Sequence, residues 1–193
     1  VYHVLTDVEI VERKEQYRAE LINDFKLHAF RIGDFTLASG EKSKFYFNVK
    51  NAYTFPNIMQ KISSLLMFEL NNVEYDVIGG VELGAIPLIT ATSMKTHKPF
   101  IMLRKFKKDY GAKQLIEGKY AQGSKVVMIE DVTTTGGSVI KAIDLLRNNH
   151  AVVDTVVTVV DRANGAKEAL GSMGIRLIPL FTLADFTEGD QVA

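Results

Sequence analysis

Four consecutive apolar residues, Val126-Val127-Met128-Ile129, lead directly into two carboxylates, Glu130 and Asp131, and then into Val132-Thr133-Thr134-Thr135-Gly136-Gly137-Ser138. Adjacent carboxylates repel each other unless something cationic or hydroxylic lies nearby, so this pair calls for a ligand or a partner. The threonines, glycines and serine that follow supply hydroxyls and unhindered N–H groups where a helix begins, an arrangement that holds anions. Acids beside such a cradle suit a phosphorylated sugar: they accept from vicinal hydroxyls while the amides hold the phosphate. The Gly-Lys-Ser/Thr of triphosphate loops and the G-x-G-x-x-G of dinucleotide sites are both missing, which makes those ligands poorer fits. The competing reading is a surface turn with capping threonines and solvated acids; two acids followed by so dense a run of small polar residues weigh against it.

A second chemical feature lies upstream. Between Arg104 and Lys119 the chain carries six basic and two acidic residues, against an overall balance of 23 basic and 23 acidic. A solvated loop is the ordinary reading of a lysine run. Its position between two strands of an anion-binding sheet points instead to a long functional loop. The zero net charge argues against a dedicated nucleic-acid binder.

These groups need a scaffold, and the rest of the chain reads as one. At 193 residues, 47% hydrophobic and 24% charged, the composition is that of one globular domain large enough to do without cross-links. No cysteine is present, and His3, His28, His97 and His150 lack metal-ligand spacing, so a thiolate site and structural zinc are excluded. No apolar run has the length of a membrane span and no basic-then-apolar leader opens the chain, so the expectation is a cytoplasmic protein without a membrane partner.

Apolar residues at helical spacing (Tyr17, Leu21, Phe25, Ala29) predict an amphipathic helix over 13–29. Two extended runs, 35–37 and 45–49, surround a turn-rich segment and predict a hairpin. Pro56 suits a first helical turn, with Ile58, Ile62, Leu65, Leu66 and Leu70 on the buried face. Beyond it, strands over 75–79, 100–103, 125–129, 155–160 and 175–181 alternate with helices over 86–95, 137–149 and 166–173. Near-continuous Val/Ile strands of this kind predict an α/β fold with a central, mostly parallel sheet flanked by helices. A small N-terminal helix-and-hairpin hood over about 1–55 precedes a core over about 56–193. In such sheets ligands bind beyond the carboxyl ends of the strands.

The segment Glu130 to Ser138 resembles the phosphoribosyl pyrophosphate (PRPP) signature of type I phosphoribosyltransferases, and further blocks resemble the orotate phosphoribosyltransferases among them. Phe35-Thr36-Leu37-Ala38-Ser39-Gly40, with Ser43 and Tyr46-Phe47, is similar to the orotate-side segment. Gly79-Gly80-Val81-Glu82-Leu83-Gly84 is similar to the pyrophosphate loop. Arg104-Lys105 through Lys107-Lys108-Asp109-Tyr110-Gly111 and Ile116-Glu117-Gly118 resembles a mobile lid over 104–121, and Asp161-Arg162 a base-contacting pair.

The resemblance implies a type I phosphoribosyltransferase fold and transfer of the phosphoribosyl group of PRPP to orotate, in the biosynthesis of UMP. It assigns PRPP binding to Arg104, Lys105, Lys108, Tyr110 and the whole run Glu130, Asp131, Val132, Thr133, Thr134, Thr135, Gly136, Gly137 and Ser138. Orotate binding falls to Thr134, Arg162, Tyr46 and Phe47, and the pyrophosphate loop to Glu82, Leu83 and Gly84. Lys108, Asp131 and Glu130 are the catalytic candidates: lid lysines stabilise charge on the leaving pyrophosphate, while the acids orient the ribose hydroxyls near the developing positive charge. Magnesium is implied, held mainly by PRPP, with no protein ligand assigned. A homodimer is implied too, each lid serving the partner's site.

Departures from the family pattern are visible. Ala38 and Lys44 stand where lysine and proline are frequent, Tyr110 where histidine is common, and Leu83-Gly84 where a Tyr-Lys pair is found. For the missing cations, compensation by Lys42 or Lys44 and binding through backbone amides are both open. The rival readings are a purine or uracil phosphoribosyltransferase, a non-catalytic PRPP-binding regulator, and a fragment of a two-domain UMP synthase. The lid and Asp161-Arg162 weigh against the first. The absence of a helix-turn-helix pattern in residues 1–30 weighs against the second. The third is disfavoured because no decarboxylase segment follows.

Overall fold

The computed structural model describes residues 6–36, 42–105 and 115–187. The chain enters through α1 (Asp7–His28), whose start is fixed by a capping box. The Thr6 N–H donates to Glu9 Oε2 at 2.7 Å while the Glu9 N–H donates to Thr6 Oγ1 at 3.3 Å. The helix therefore begins six residues before the apolar spacing predicts. It buries Leu21 and Phe25.

The hairpin follows as β1 (Phe30–Thr36) and β2 (Lys42–Phe47), antiparallel, with an irregularity in register between Ile32 and Phe35. The predicted extension of its second strand to Val49 is not what forms. Val49, Ala52 and Tyr53 are buried at helical spacing, and the segment is a short helix, α2 (Val49–Tyr53). Then α3 (Pro56–Leu70) runs from Pro56 at its first turn, as expected.

Six strands form the main sheet, in the order β5-β4-β3-β6-β7-β8. These are β3 (Val77–Val81), β4 (Phe100–Leu103), β5 (Ile116–Glu117), β6 (Val126–Thr133), β7 (Thr155–Asp161) and β8 (Arg176–Thr182). All pairings are parallel except β4 with the two-residue edge strand β5. The connecting helices are α4 (Ile86–Thr96), α5 (Gly137–Asn148) and α6 (Ala166–Gly171), and α7 (Ala184–Thr187) closes the described chain.

Two apolar layers sandwich the sheet, and strand alternation sorts residues between them. Ile78, Val127, Ile129, Val157 and Val159 pack with α1, α3 and α4, whereas Val77, Val126, Met128 and Val156 pack with α5 and α6. The hood joins the first layer through an aromatic cluster. Phe25 meets Phe47 at 5.7 Å and Phe181 at 5.5 Å, and Phe186 lies 4.8 Å from Phe47. That packing seats the hairpin and α2 over the carboxyl ends of β6 and β7. No helix among the described residues is long and apolar enough to cross a membrane.

Candidate active site

Strand β6 does not stop where its apolar residues do. It continues through Glu130, Asp131 and Val132 to Thr133 because β7 pairs with it on either side of Asp131, Glu130 opposite Thr158, Val132 opposite Val160 and Thr133 opposite Asp161. The two carboxylates therefore sit on successive positions of a strand and point to opposite faces.

Glu130 lies on the α5 face, 7% exposed, with Oε1 buried and lacking a hydrogen-bond partner. Burial, reinforced by the Asp131 charge and only partly offset by Lys105, pushes its carboxyl up to about 8. Asp131 lies on the hood face, where Lys50 Nζ of α2 reaches its Oδ2 at 3.1 Å. One turn along α2, Tyr53 Oη donates to the Gly84 carbonyl at 3.0 Å. Burial and the same Asp131 charge push the Tyr53 hydroxyl up to about 12, so it stays a donor.

The Glu130 burial has a measurable consequence. Its ordinary value is 4.5, and in the folded chain it titrates at about 8. Between those values the folded protein keeps a proton that the unfolded chain has released, so this group lowers stability as pH rises through that window. Glu130→Gln should gain stability relative to the parent as pH rises from about 5 to about 9, by on the order of a few kcal/mol, read as a widening gap in melting temperature. A gap that stays constant over this range would show that Glu130 is not held protonated.

Beyond β6, Gly136 adopts a left-handed conformation, φ +80°, and begins α5 without any side-chain cap. The first N–H groups of that helix thus have no capping side chain, the condition under which a helix start serves an anion. The cradle Val132 to Ser138 borders a cleft of about 630 Å³, together with Thr36, Tyr46, Phe47, Lys50, Glu130, Asp131, Lys141 and Arg162. Thr133 differs from its neighbours: it is buried, and its hydroxyl donates to Asp161 Oδ1 at 2.9 Å.

At the other end of the cleft, Arg162 does not pair with Asp161. Its Nη2 donates to Ser43 Oγ at 2.9 Å and to the Phe45 carbonyl at 3.0 Å, linking the end of β7 to the hairpin. Burial pulls its guanidinium down from the usual value. Tyr46 is partly exposed at the cleft, with its ring 5.3 Å from that of Phe35. Phe47 also borders the cleft, but it is buried and belongs mainly to the aromatic core.

A second cavity of about 270 Å³ joins Glu82, Leu83, Gly84 and Lys105 to Glu130 and Asp131. Glu82 Oε1 accepts the Lys105 N–H at 2.8 Å, and the Arg104 N–H donates to the Leu115 carbonyl at 2.9 Å, so both stems of the predicted lid are anchored. Arg104 Nη1 stands 3.9 Å from Glu117, while its Nε is buried without a partner. Lys108 and Tyr110 lie outside the described residues, as do Leu37, Ala38, Ser39 and Gly40. The remaining sequence-predicted residues converge on these two adjoining cavities, except Arg104, which borders a separate one with Lys105, Ser138 and Lys141. Sequence reasoning missed Lys50 and Tyr53; the helical spacing of Val49, Ala52 and Tyr53 signals the helix that carries them but not their place in a site.

A parallel sheet whose strand ends carry two successive carboxylates beside an uncapped helix start and the basic Lys105 has the chemistry that suits a phosphorylated sugar. The phosphoribosyl transferase domain family matches residues 48–173. Among curated proteins, the orotate phosphoribosyltransferase of Methanocaldococcus jannaschii is 45% identical over 87% of this chain and 96% of its own length. The crystal structure of orotate phosphoribosyltransferase from Aeropyrum pernix aligns with a TM-score of 0.78 at 31% identity, covering 87% of this chain and 96% of that one. That of the Mycobacterium tuberculosis enzyme in complex with PRPP aligns at 0.72 and 32% identity, covering 88% and 98%. The chain belongs to the phosphoribosyl transferase family and has the type I phosphoribosyltransferase fold, its relatives being orotate phosphoribosyltransferases.

Proposed function

We propose that this chain transfers the phosphoribosyl group of PRPP to orotate, releasing orotidine 5′-monophosphate and pyrophosphate in pyrimidine biosynthesis. The observation that carries the reading is the cleft itself. One end is an uncapped helix start lined by Thr134, Thr135, Gly136, Gly137 and Ser138, and the other holds Tyr46 and Arg162. A phosphate fits the first and a carboxylated pyrimidine the second, with the Asp131 carboxylate lining the same cleft.

In the reaction a ring nitrogen of orotate forms a bond to the anomeric carbon as the bond from that carbon to the pyrophosphate oxygen breaks. The electron pair leaves with pyrophosphate, and positive charge grows on the ribose. Asp131 takes the ribose hydroxyls and faces that charge, Glu130 stands at the neighbouring position as a further hydroxyl partner, and Lys105 and, in the lid, Lys108 face the charge on the leaving group. Magnesium belongs to the proposal as an ion that arrives with PRPP and supplies charge neutralisation on the diphosphate. The hard carboxylate oxygens of Glu130 and Asp131 in the cleft are of the kind such an ion would accept, but we assign it no protein ligand. Among the described residues no group of three or more acidic, histidine or cysteine side chains could hold a metal. A homodimer with lids shared between subunits, and a cytoplasmic location, complete the reading.

The test is loss of orotate absorbance on adding PRPP and magnesium. An unchanged spectrum alongside consumption of PRPP with adenine, hypoxanthine or uracil would move the chain to another branch of the family. Arg162 gives a finer check. Arg162→Ala should raise the orotate KM about tenfold or more, the equivalent of a lost charge-assisted contact of about 1.5–3 kcal/mol. PRPP affinity should stay nearly unchanged, and weakened PRPP binding in titrations would assign Arg162 to the wrong substrate.

A further inference from the structure

Asp131 is not alone in the cleft. Lys50, carried by the hood rather than by the sheet, sets its Nζ 3.1 Å from Asp131 Oδ2 with its side chain 45% exposed. Among the described residues it is the basic side chain common to both cavities, the one lined by the 133–138 cradle and the one lined by Glu82, Leu83 and Gly84.

The surroundings show why a cation is needed there. The 82–84 segment supplies none, and Gly84 cannot be given a side chain without disturbance: a Cβ on it would lie 2.2 Å from Asp131 Oδ2. The hairpin lysines are engaged elsewhere, Lys42 with Thr36 Oγ1 at 2.7 Å and Lys44 with Asp34 at 2.6 Å. Arg162 is held by Ser43 and Phe45. A diphosphate arriving beside Asp131 would meet like charge on that wall, and Lys50 is the ammonium within reach on the hood side. Its long flexible stem allows the charge to swing between partners.

Building on the phosphoribosyl-transfer reading, we propose that Lys50 is a diphosphate-binding residue of PRPP. In the free protein its ammonium neutralises Asp131. When PRPP enters, the ribose hydroxyls take over the Asp131 oxygens and Lys50 transfers to the diphosphate, where it also meets the negative charge that grows as the anomeric bond breaks.

The experiment uses the full chain and calorimetric binding of three probes: PRPP with magnesium, inorganic pyrophosphate with magnesium, and ribose 5-phosphate. Lys50→Met keeps the stem and removes the charge. It should weaken PRPP and pyrophosphate about tenfold or more and leave ribose 5-phosphate within about twofold. Lys50→Arg should restore most of the loss. Adding Lys50→Met to an Asp131→Asn background should still weaken pyrophosphate, since the contact is direct. Equal weakening of all three probes, no change in any, or no further loss in the Asp131→Asn background would overturn the proposal, because Lys50 would then act by holding Asp131 or not at all. Orotate turnover by the parent protein is measured separately. A parent that binds pyrophosphate but leaves orotate unconsumed would remove the transfer reading while the Lys50 comparison stands.

Discussion

Asp131→Asn is expected to lower turnover by roughly a hundredfold or more while leaving the PRPP dissociation constant nearly unchanged or slightly improved. The substitution keeps the shape and removes the charge that faces the ribose as it becomes cationic, so the loss falls on the transition state. The ground state gains from it, because Lys50, now 3.1 Å from this carboxylate, becomes fully available to the diphosphate. Single-turnover rates and calorimetric affinities separate the two effects. Losses confined to affinity would make Asp131 a ground-state binder only. The same variant tests the shared lid. Mixed under subunit exchange with Lys108→Ala, it should recover about a quarter of parent activity, since a two-fold dimer puts both defects in one site and leaves the other intact. No recovery, with exchange verified, would place Lys108 in its own subunit's site.

Gly84→Ala should remove most of the activity while sparing the fold. The added carbon would stand 2.2 Å from Asp131 Oδ2, 2.5 Å from its Cγ and 2.7 Å from Oδ1, so one of the two must move. The easier to move is the carboxylate, a side-chain tip, and the fold should tolerate this with little change in melting temperature. The chemistry should not: a displaced Asp131 loses both Lys50 and the ribose, and turnover should drop by roughly the same hundredfold as in Asp131→Asn. Combining the two substitutions should cost little beyond either alone, because they remove the same group. Additive losses in the double variant would show that Gly84 acts independently of Asp131.

Much of this architecture is legible in the residues. Pro56 and the spacing of Ile58, Ile62 and Leu66 place α3 where it forms. The Val/Ile runs place β6, β7 and the parallel sheet. The cradle from Thr134 to Ser138 is readable because its chemistry is local: hydroxyls, glycines and a helix start lie within a few positions of each other. What escapes is whatever depends on a partner segment. An apolar criterion ends β6 at Ile129, yet pairing with β7 carries it to Thr133 and thereby turns Glu130 and Asp131 to opposite sides. The start of α1 is written in Thr6 and Glu9 as a capping box, a signal carried by polar rather than apolar residues. The two-residue β5 has no periodicity to read, and it exists because Leu103 and Met102 offer it an edge. Lys50 and Tyr53 are the instructive case. Nothing in 49–53 marks a site until the hood folds over the sheet and brings them to Asp131 and Gly84, at sequence separations of 81 and 31.

The two-residue repeat of β6 also constrains how a gene encoding this chain can drift. Val126 and Met128 share one face and Val127 and Ile129 the other, so inserting or deleting a single codon within this stretch would invert the apolar layers and shift the two carboxylates that follow at once. Point substitutions among Val, Ile and Met leave that parity intact. Length changes are therefore confined to the connections, such as the turn before Val126, while the strand itself can vary in spelling but not in count.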